Sequence, residues 1–426
     1  MSKFQIIVLC VFGLFIFAGV GSFAFFKGKS GTQAPPITIW GTLDAGLMSG
    51  FIQGVVGTKV VINYDQKPAA TFDTILADAI ANGNGPDAIL ISQDQIMQEA
   101  SKLTLIPYTA IPQSAYESNY IQEAELYMQS NGLVALPFSV DPLVMYWNRD
   151  LLSNANIATP PQYWSDLTAE VPALTVEDKA YNIDQSAVGL GEYTNVDNAK
   201  QILSAIFLQA GTPIVQQNGN SYQAVLDSTN PDLSGSPTSF YTQFADPTLP
   251  AYTWNRSLLD SMNLFISNKL AYYFGFASED QEIAAKNPNL NFAVALFPQL
   301  KPTSPTSTFN KTTYGTMYGF SILRSSPNIA TAVSDIYKLT TPQALAEWSD
   351  QSGFPSVLRD QLTTPDPTNP ASSVFDTSAL WARGWDDPDS GATDVIFSQM
   401  ISAITSGQMG ETEALGNAQS QLQNLF

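Results

Sequence analysis

The chain has 426 residues, more than a single hydrophobic core usually serves, so two lobes are expected. Charged residues make up only 13%, and 38 acidic against 18 basic side chains give a formal net charge of −20, which repels phosphate backbones and anionic headgroups and argues against nucleic-acid binding. There is no histidine, and the one cysteine is Cys10, which removes imidazole acid–base chemistry, a thiol nucleophile, a disulfide and a Cys/His zinc site from the body of the chain. No metal and no cofactor are expected.

Residues 6–26 carry no charge over 21 positions, long enough to span a bilayer. Two readings stay open: an uncleaved single-pass anchor, or a signal peptide with Gly21, Ser22 and Ala24 as small residues for cleavage. A lipoprotein reading fails because Cys10 comes too early, behind Val8-Leu9. Residues 27–36 then form a flexible linker, and either reading puts the body outside the cytoplasm, tethered or secreted.

The first stretch reads as β-α-β units. Ile37–Trp40, Lys59–Tyr64 and Asp87–Ser92 are predicted strands. Between the last two, Phe72, Ile75, Leu76, Ala79 and Ile80 keep helical spacing up to Gly83. Such alternation predicts a mainly parallel sheet, with ligand beyond the carboxyl ends of its strands. Those ends carry Trp40, Asp44, Tyr64 and Asp94.

From Leu136 to Leu167 the chain reads LPFSVDPLVMYWNRDLLSNANIATPPQYWSDL: buried strand, polar turn, helix, double proline, helix. Residues 165–225 look mostly helical, clearest over Asp197–Gly211, and 227–252 read as loop with one short segment. Arg256–Phe276 is a helix running into a strand, Asn291–Leu300 and Tyr318–Leu323 are strands, and 327–349 give helices either side of Pro342. A C-terminal helix aligns Leu415, Ala418, Leu422 and Leu425. In DDPDSGATD (386–394) an EF-hand frame fails, because Gly391 is fifth and Ser398 twelfth.

The Leu136–Leu167 block resembles the "YYN-K-D-L-F … P-P-K-T-W-D-E-L" block of extracellular solute-binding proteins, the maltose-binding-like family 1 of ABC importers. GPDAILISQDQ (85–95), NKLAYYFGF (268–276), NPNLNFAVALFPQ (287–299), YGFSIL (318–323) and SGQMGETEALGNAQSQLQ (406–423) are similar to further family segments in the same order. Two departures stand out. Tyr163 replaces the Thr that caps the helix at the tryptophan, leaving that cap absent or supplied by Ser165 or Thr159. Asp394 stands where the family often has a stacking Trp, and Trp381 or Trp385 then takes the role.

The resemblance implies an α/β bilobal periplasmic-binding-protein clamshell with discontinuous lobes. Residues 37–141 and 299–339 are expected in lobe 1, and 142–298 and 340–426 in lobe 2, with crossings near Val140–Tyr146, Phe297–Leu300 and Leu339–Pro342. It further implies binding without catalysis: a monomer capturing a small neutral carbohydrate-like solute and delivering it to ABC permease subunits. The ligand-binding residues expected are Trp40, Asp44, Tyr64, Asp94, Asp141, Glu192, Phe276, Trp381 and Trp385. Asp141 reads equally as a turn residue before Pro142, and Asp94 as a helix cap. A surface glycoside hydrolase using carboxylates such as Asp141 and Glu192, and a receptor or adhesin on the same fold, are the competing readings.

Overall fold

The structure is a computed structural model that describes residues 35–57, 60–180, 182–219, 221–226, 236–301, 310–362 and 368–426. The apolar segment 6–26 and Cys10 lie outside the described residues, among which no helix is long and apolar enough to cross a membrane.

The principal strands are β1 (Ile37–Gly41), β2 (Ile62–Gln66), β3 (Ala88–Ser92), β4 (Leu136–Asn148), β5 (Ile183–Val188), β6 (Leu270–Phe276), β7 (Phe292–Ala295), β8 (Thr313–Leu323) and β9 (Ala382–Arg383). The principal helices are α1 (Ala45–Val56), α2 (Phe72–Ala81), α3 (Trp164–Leu174), α4 (Ala199–Gln209), α5 (Glu279–Lys286), α6 (Ile329–Leu339), α7 (Pro342–Ser352), α8 (Pro370–Trp381), α9 (Ser390–Thr405) and α10 (Glu411–Gln423). The strands run in the order β2-β1-β3-β8-β4-β6-β5, with β7 pairing β4 and β9 pairing β8. Strands β1–β3 are parallel and β8 joins β3 antiparallel.

Two long strands carry this sheet from one lobe to the other. The first part of β4, Leu136–Pro142, pairs β8, and the second, Leu143–Asn148, pairs β6 and β7. Every residue of β4 but Trp147 is buried, which explains its continuous apolar character.

Buried side chains form two separate cores. The first gathers β1–β3, α1, α2, the stretch from Ile96 to Val140, Met317–Leu323 and α6. The second gathers Leu143–Tyr146, α3, α4, β6, Phe297, Tyr314, Trp385, α9 and α10. The chain therefore crosses between Val140 and Leu143, between Tyr314 and Met317, and again through α8 and β9. This corrects the expected boundaries. Residues 340–362 do not join the second lobe: Trp348 of α7 packs on Phe51 and Phe138, and its indole N–H donates to Ser139 Oγ at 3.0 Å. The second crossing also comes later than Leu300, because Leu300 and Tyr314 still belong to the second core.

Two local expectations change as well. The stretch 165–225 is not mostly helical: besides β5 it holds the hairpin Ile214–Asn218/Ser221–Val225. Tyr163 provides no side-chain cap to α3, and the free N–H of Trp164 is instead satisfied by Gln299 O at 3.0 Å.

Candidate interlobe binding site

Asp141 sits at the first crossing, buried at 7% exposure. Its Oδ1 accepts from the Ser278 N–H at 3.0 Å, just after β6. Burial pushes its carboxyl up to about 7 against the pull of the Ser278 hydrogen bonds, and nearby Glu279 adds to the rise. Glu279 in turn accepts from Tyr273 Oη at 2.5 Å and Asn198 Nδ2 at 3.0 Å.

Asp94 follows β3 in a short 3-10 turn that Gln93 pins to the second crossing. Gln93 Nε2 donates to Gly315 O at 2.7 Å, and Met317 N–H donates to Gln93 Oε1 at 2.6 Å. Asp94 Oδ1 accepts from Tyr314 Oη at 2.6 Å. Burial raises the Asp94 carboxyl, opposed by the Lys200 charge and the Tyr314 hydrogen bond. Lys200, on α4 of the other lobe, donates to Asp387 Oδ2 at 2.6 Å, Thr393 Oγ1 at 2.7 Å and Ser390 O at 3.0 Å. Burial pushes Asp387 up as well, with Lys200 holding against it. Asp94, Tyr314, Lys200 and Asp387 thus form a buried polar seam facing both lobes.

Beside this seam lies a cavity of about 250 Å³ lined from both lobes. Gln122, Glu123, Leu126 and Gln129 come from the first lobe, Gln217 and Tyr222 from the hairpin, and Arg383, Gly384 and Asp386 from the third crossing and the segment after it. Glutamine amides donate and accept, and a tyrosine ring offers a flat face with a polar tip, a set suited to a polyhydroxylated ring. A larger recess of about 510 Å³ sits around Pro160, Pro161, Phe297 and Trp381, mainly on the second lobe. Its lining is mostly apolar, and Lys311 Nζ lies 4.6 Å from the centre of the Trp381 ring.

The residues expected to bind ligand divide. Asp94 and Asp141 both lie buried at the crossings. Trp40 is half-buried at the end of β1 with Lys67 Nζ 4.2 Å above its ring, and Tyr64 donates to Leu43 O at 2.9 Å. Asp44 is the exposed N-cap of α1, accepting from the Leu47 N–H at 2.8 Å. Glu192 is held by Arg256 Nε at 2.9 Å and Thr405 Oγ1 at 3.1 Å. Phe276 is partly buried against the second core. Trp381 lies in the larger recess, apart from the polar cavity. Trp385 belongs to the core: it is 3% exposed, stacks on Phe397 and donates to Ser204 Oγ at 3.1 Å, so neither ring face is open to a solute.

The acidic run at 386–394 has structural duties. Asp387 pairs Lys200, Asp389 caps α9 through the Ala392 N–H at 2.9 Å, and Asp394 accepts from Tyr193 Oη at 2.5 Å. Among the described residues no three carboxylates or thiols converge as a metal site would need.

Glu123, Gln129, Gln217, Tyr222, Lys200 and Asp387 were not legible as site residues. Glu123 sits in QEAELY, a stretch with no motif to set it apart, and the hairpin carrying Gln217 and Tyr222 has a turn signal at Asn218-Gly219 that the helical reading of 165–225 passed over.

Comparison with known proteins agrees with this architecture. The structure aligns with the cyclic alpha-maltosyl-1,6-maltose binding protein from Arthrobacter globiformis at a TM-score of 0.73, with 16% identity over 92% of this chain and 99% of that one. The GacH receptor of Streptomyces glaucescens aligns at 0.70, with 15% identity over 92% and 99%. A Brucella abortus (strain 2308) protein provisionally named a binding protein is 21% identical over 360 residues, 82% of this chain and 80% of its own length. These likenesses establish the α/β bilobal periplasmic-binding fold. Residues 47–344 match the model of the bacterial extracellular solute-binding protein family, and the chain belongs to that family.

Proposed function

We infer that this protein is the extracytoplasmic substrate-binding subunit of an ABC importer, capturing a neutral carbohydrate-like solute between its lobes and delivering it to a membrane permease. The observation that carries the reading is the small polar cavity lined by amides, a tyrosine and acids from both lobes, next to the strands that join them. A solute touching both lobes favours the closed form, because only contacts made with both bias the equilibrium. Solved relatives include a Streptomyces receptor crystallised with acarbose and a Thermotoga lettingae solute-binding protein bound with alpha-D-tagatose, which supports a sugar as the solute class.

The polar groups suit binding better than turnover. Glu192 is tied to Arg256 and Thr405, and Asp141 is held by a backbone N–H, so neither is poised as half of a hydrolytic pair. The protein acts as a monomer, and residues 6–26 hold it to the membrane or direct its export. Isothermal titration of the purified protein with neutral mono- to tetrasaccharides tests the reading. Saturable heat with at least one sugar, and no turnover of it, is expected. Silence across the panel overturns it.

A further inference from the structure

Glu123 is the most unusual side chain at the interlobe cavity. It is 1% exposed, and among the described residues neither carboxyl oxygen has a hydrogen-bond partner. Its setting is built around it. A Cβ added to Gly315, on the second crossing, would collide with Oε2, and one added to Gly384, on the third, would lie 3.3 Å from Oε1. Two glycines of the crossing segments therefore leave room for this carboxyl.

Its neighbours do not satisfy it. Arg383 is near, yet its Nη1 donates to Ala382 O at 2.6 Å and does not bond the carboxyl. Asp94 is engaged by Tyr314, and Tyr127 Oη donates to Met317 O at 2.8 Å. An isolated dry carboxyl is costly, because burial removes its water and nothing replaces it. A partner that arrives only with the ligand recovers that cost, which makes Glu123 a device for selectivity as well as affinity.

Resting on the carbohydrate reading above, we propose that Glu123 is a ligand-contacting residue, whose carboxyl takes a pair of neighbouring hydroxyls of one sugar unit seated among Gln122, Gln129, Gln217 and Tyr222. The volume of about 250 Å³ suits one ring-sized unit, so a longer oligosaccharide would extend beyond it. Burial, reinforced by the Asp94 charge and opposed by Arg383, pushes the Glu123 carboxyl up to about 8. At neutral pH it is therefore chiefly a neutral acid, able to donate one hydrogen bond and accept another. The groups facing it are Asp94 after β3, Tyr314 on β8, Arg383 on β9 and Tyr127 on its own segment.

The test is titration of the full chain, E123Q and E123A with neutral saccharides of glucose, mannose, galactose and xylose, and with glucosamine as the amine-bearing probe. Thermal melts confirm that each variant is folded, and E117Q, at an exposed acid outside the cavity lining, serves as a control. E123A is expected to weaken sugar binding by about tenfold or more, with E123Q retaining most of it, since Gln keeps one donor and one acceptor. Wild-type affinity should fall as pH rises past about 8, and E123Q affinity should not. Sugar binding unchanged in a folded E123A overturns the role of Glu123 and leaves the carbohydrate reading standing. Binding of glucosamine alone, abolished in both variants, overturns the hydroxyl assignment in favour of an ammonium group. No binding by the wild type overturns both.

Discussion

Lys200 Nζ lies 2.6 Å from Asp387 Oδ2, and both side chains are almost sealed from water. Lys200 stands on α4, and Asp387 follows the third crossing. Asp94 of the first lobe is close enough for the lysine charge to act on it. One ammonium thus answers two acids from different parts of the chain.

Removing that ammonium is expected to be expensive. Lys200→Met strands buried Asp387 and should cost about 3–5 kcal/mol, as breaking one side of a buried ion pair does. Lys200→Met with Asp387→Leu should cost clearly less than the sum of the single changes. Urea unfolding of the three variants checks both expectations, and additive losses would contradict the pairing.

Gly315 is a packing requirement. A Cβ there collides with Glu123 Oε2 and lies 2.8 Å from Ala382 Cβ. Gly315→Ala should destabilise by about 1–3 kcal/mol, the range for overpacking. Adding Glu123→Ala should restore part of the loss, because one of the two clashes goes. Thermal melts of the single and double variants measure this coupling.

Gln209 ties three pieces of backbone and side chain together. Its Oε1 accepts from Trp164 Nε1 at 2.7 Å, and its Nε2 donates to Pro298 O at 2.9 Å and Thr312 O at 2.7 Å. Gln209→Leu leaves buried polar groups unpaired and should cost about 2–4 kcal/mol, read by chemical denaturation. Gln209→Glu should also destabilise, since a carboxylate cannot donate to the two carbonyls.

Stability should fall as the solution is made alkaline. Asp141 is raised to about 7 and Glu123 to about 8, both above the ordinary carboxylate range. The folded state therefore holds protons that the unfolded chain has already released. The stabilisation is complete below the ordinary carboxylate values and is lost as pH rises through about 7 and 8. The melting midpoint should be higher at pH 6 than at pH 9, and Glu123→Gln should flatten the slope over the upper part of that window. A midpoint that rises with pH would contradict the burial of these acids.

Tyr222 is the aromatic residue that lines the cavity from the second lobe. Its ring stacks on Phe426 with centroids 5.3 Å apart, which steadies it. Tyr222→Ala should lower sugar affinity by about tenfold with little loss of stability, given that the residue is only half-buried on a hairpin. Equal affinity in isothermal titration would remove Tyr222 from the site.

The first three strands and the helix before β3 were readable because their signals are local. Short apolar runs, a helix with regular spacing up to Gly83 and the Gly-Pro-Asp entry to β3 each depend on residues close in sequence. Asp94 was placeable for a similar reason, just beyond the carboxyl end of β3, and Asp141, which lies inside β4, only through the family resemblance. Trp385 and Glu192 were not, since whether a tryptophan stacks on a solute or on Phe397, and whether an acid is free or held by Arg256, depends on groups distant in the chain.

What the sequence alone determined was the two-lobed α/β class, the absence of imidazole and the strongly acidic balance, because composition and periodicity are properties of the chain itself. Only the tertiary structure decided that α7 belongs to the first lobe, that Lys200 answers acids on either side of it, and that Glu123 is buried with no hydrogen-bond partner among the described residues. The physical reason is that burial removes water from a side chain according to what folds over it. For Glu123 that cover comes from crossing segments about 190 and 260 residues further along the chain, a separation over which no local pattern carries information.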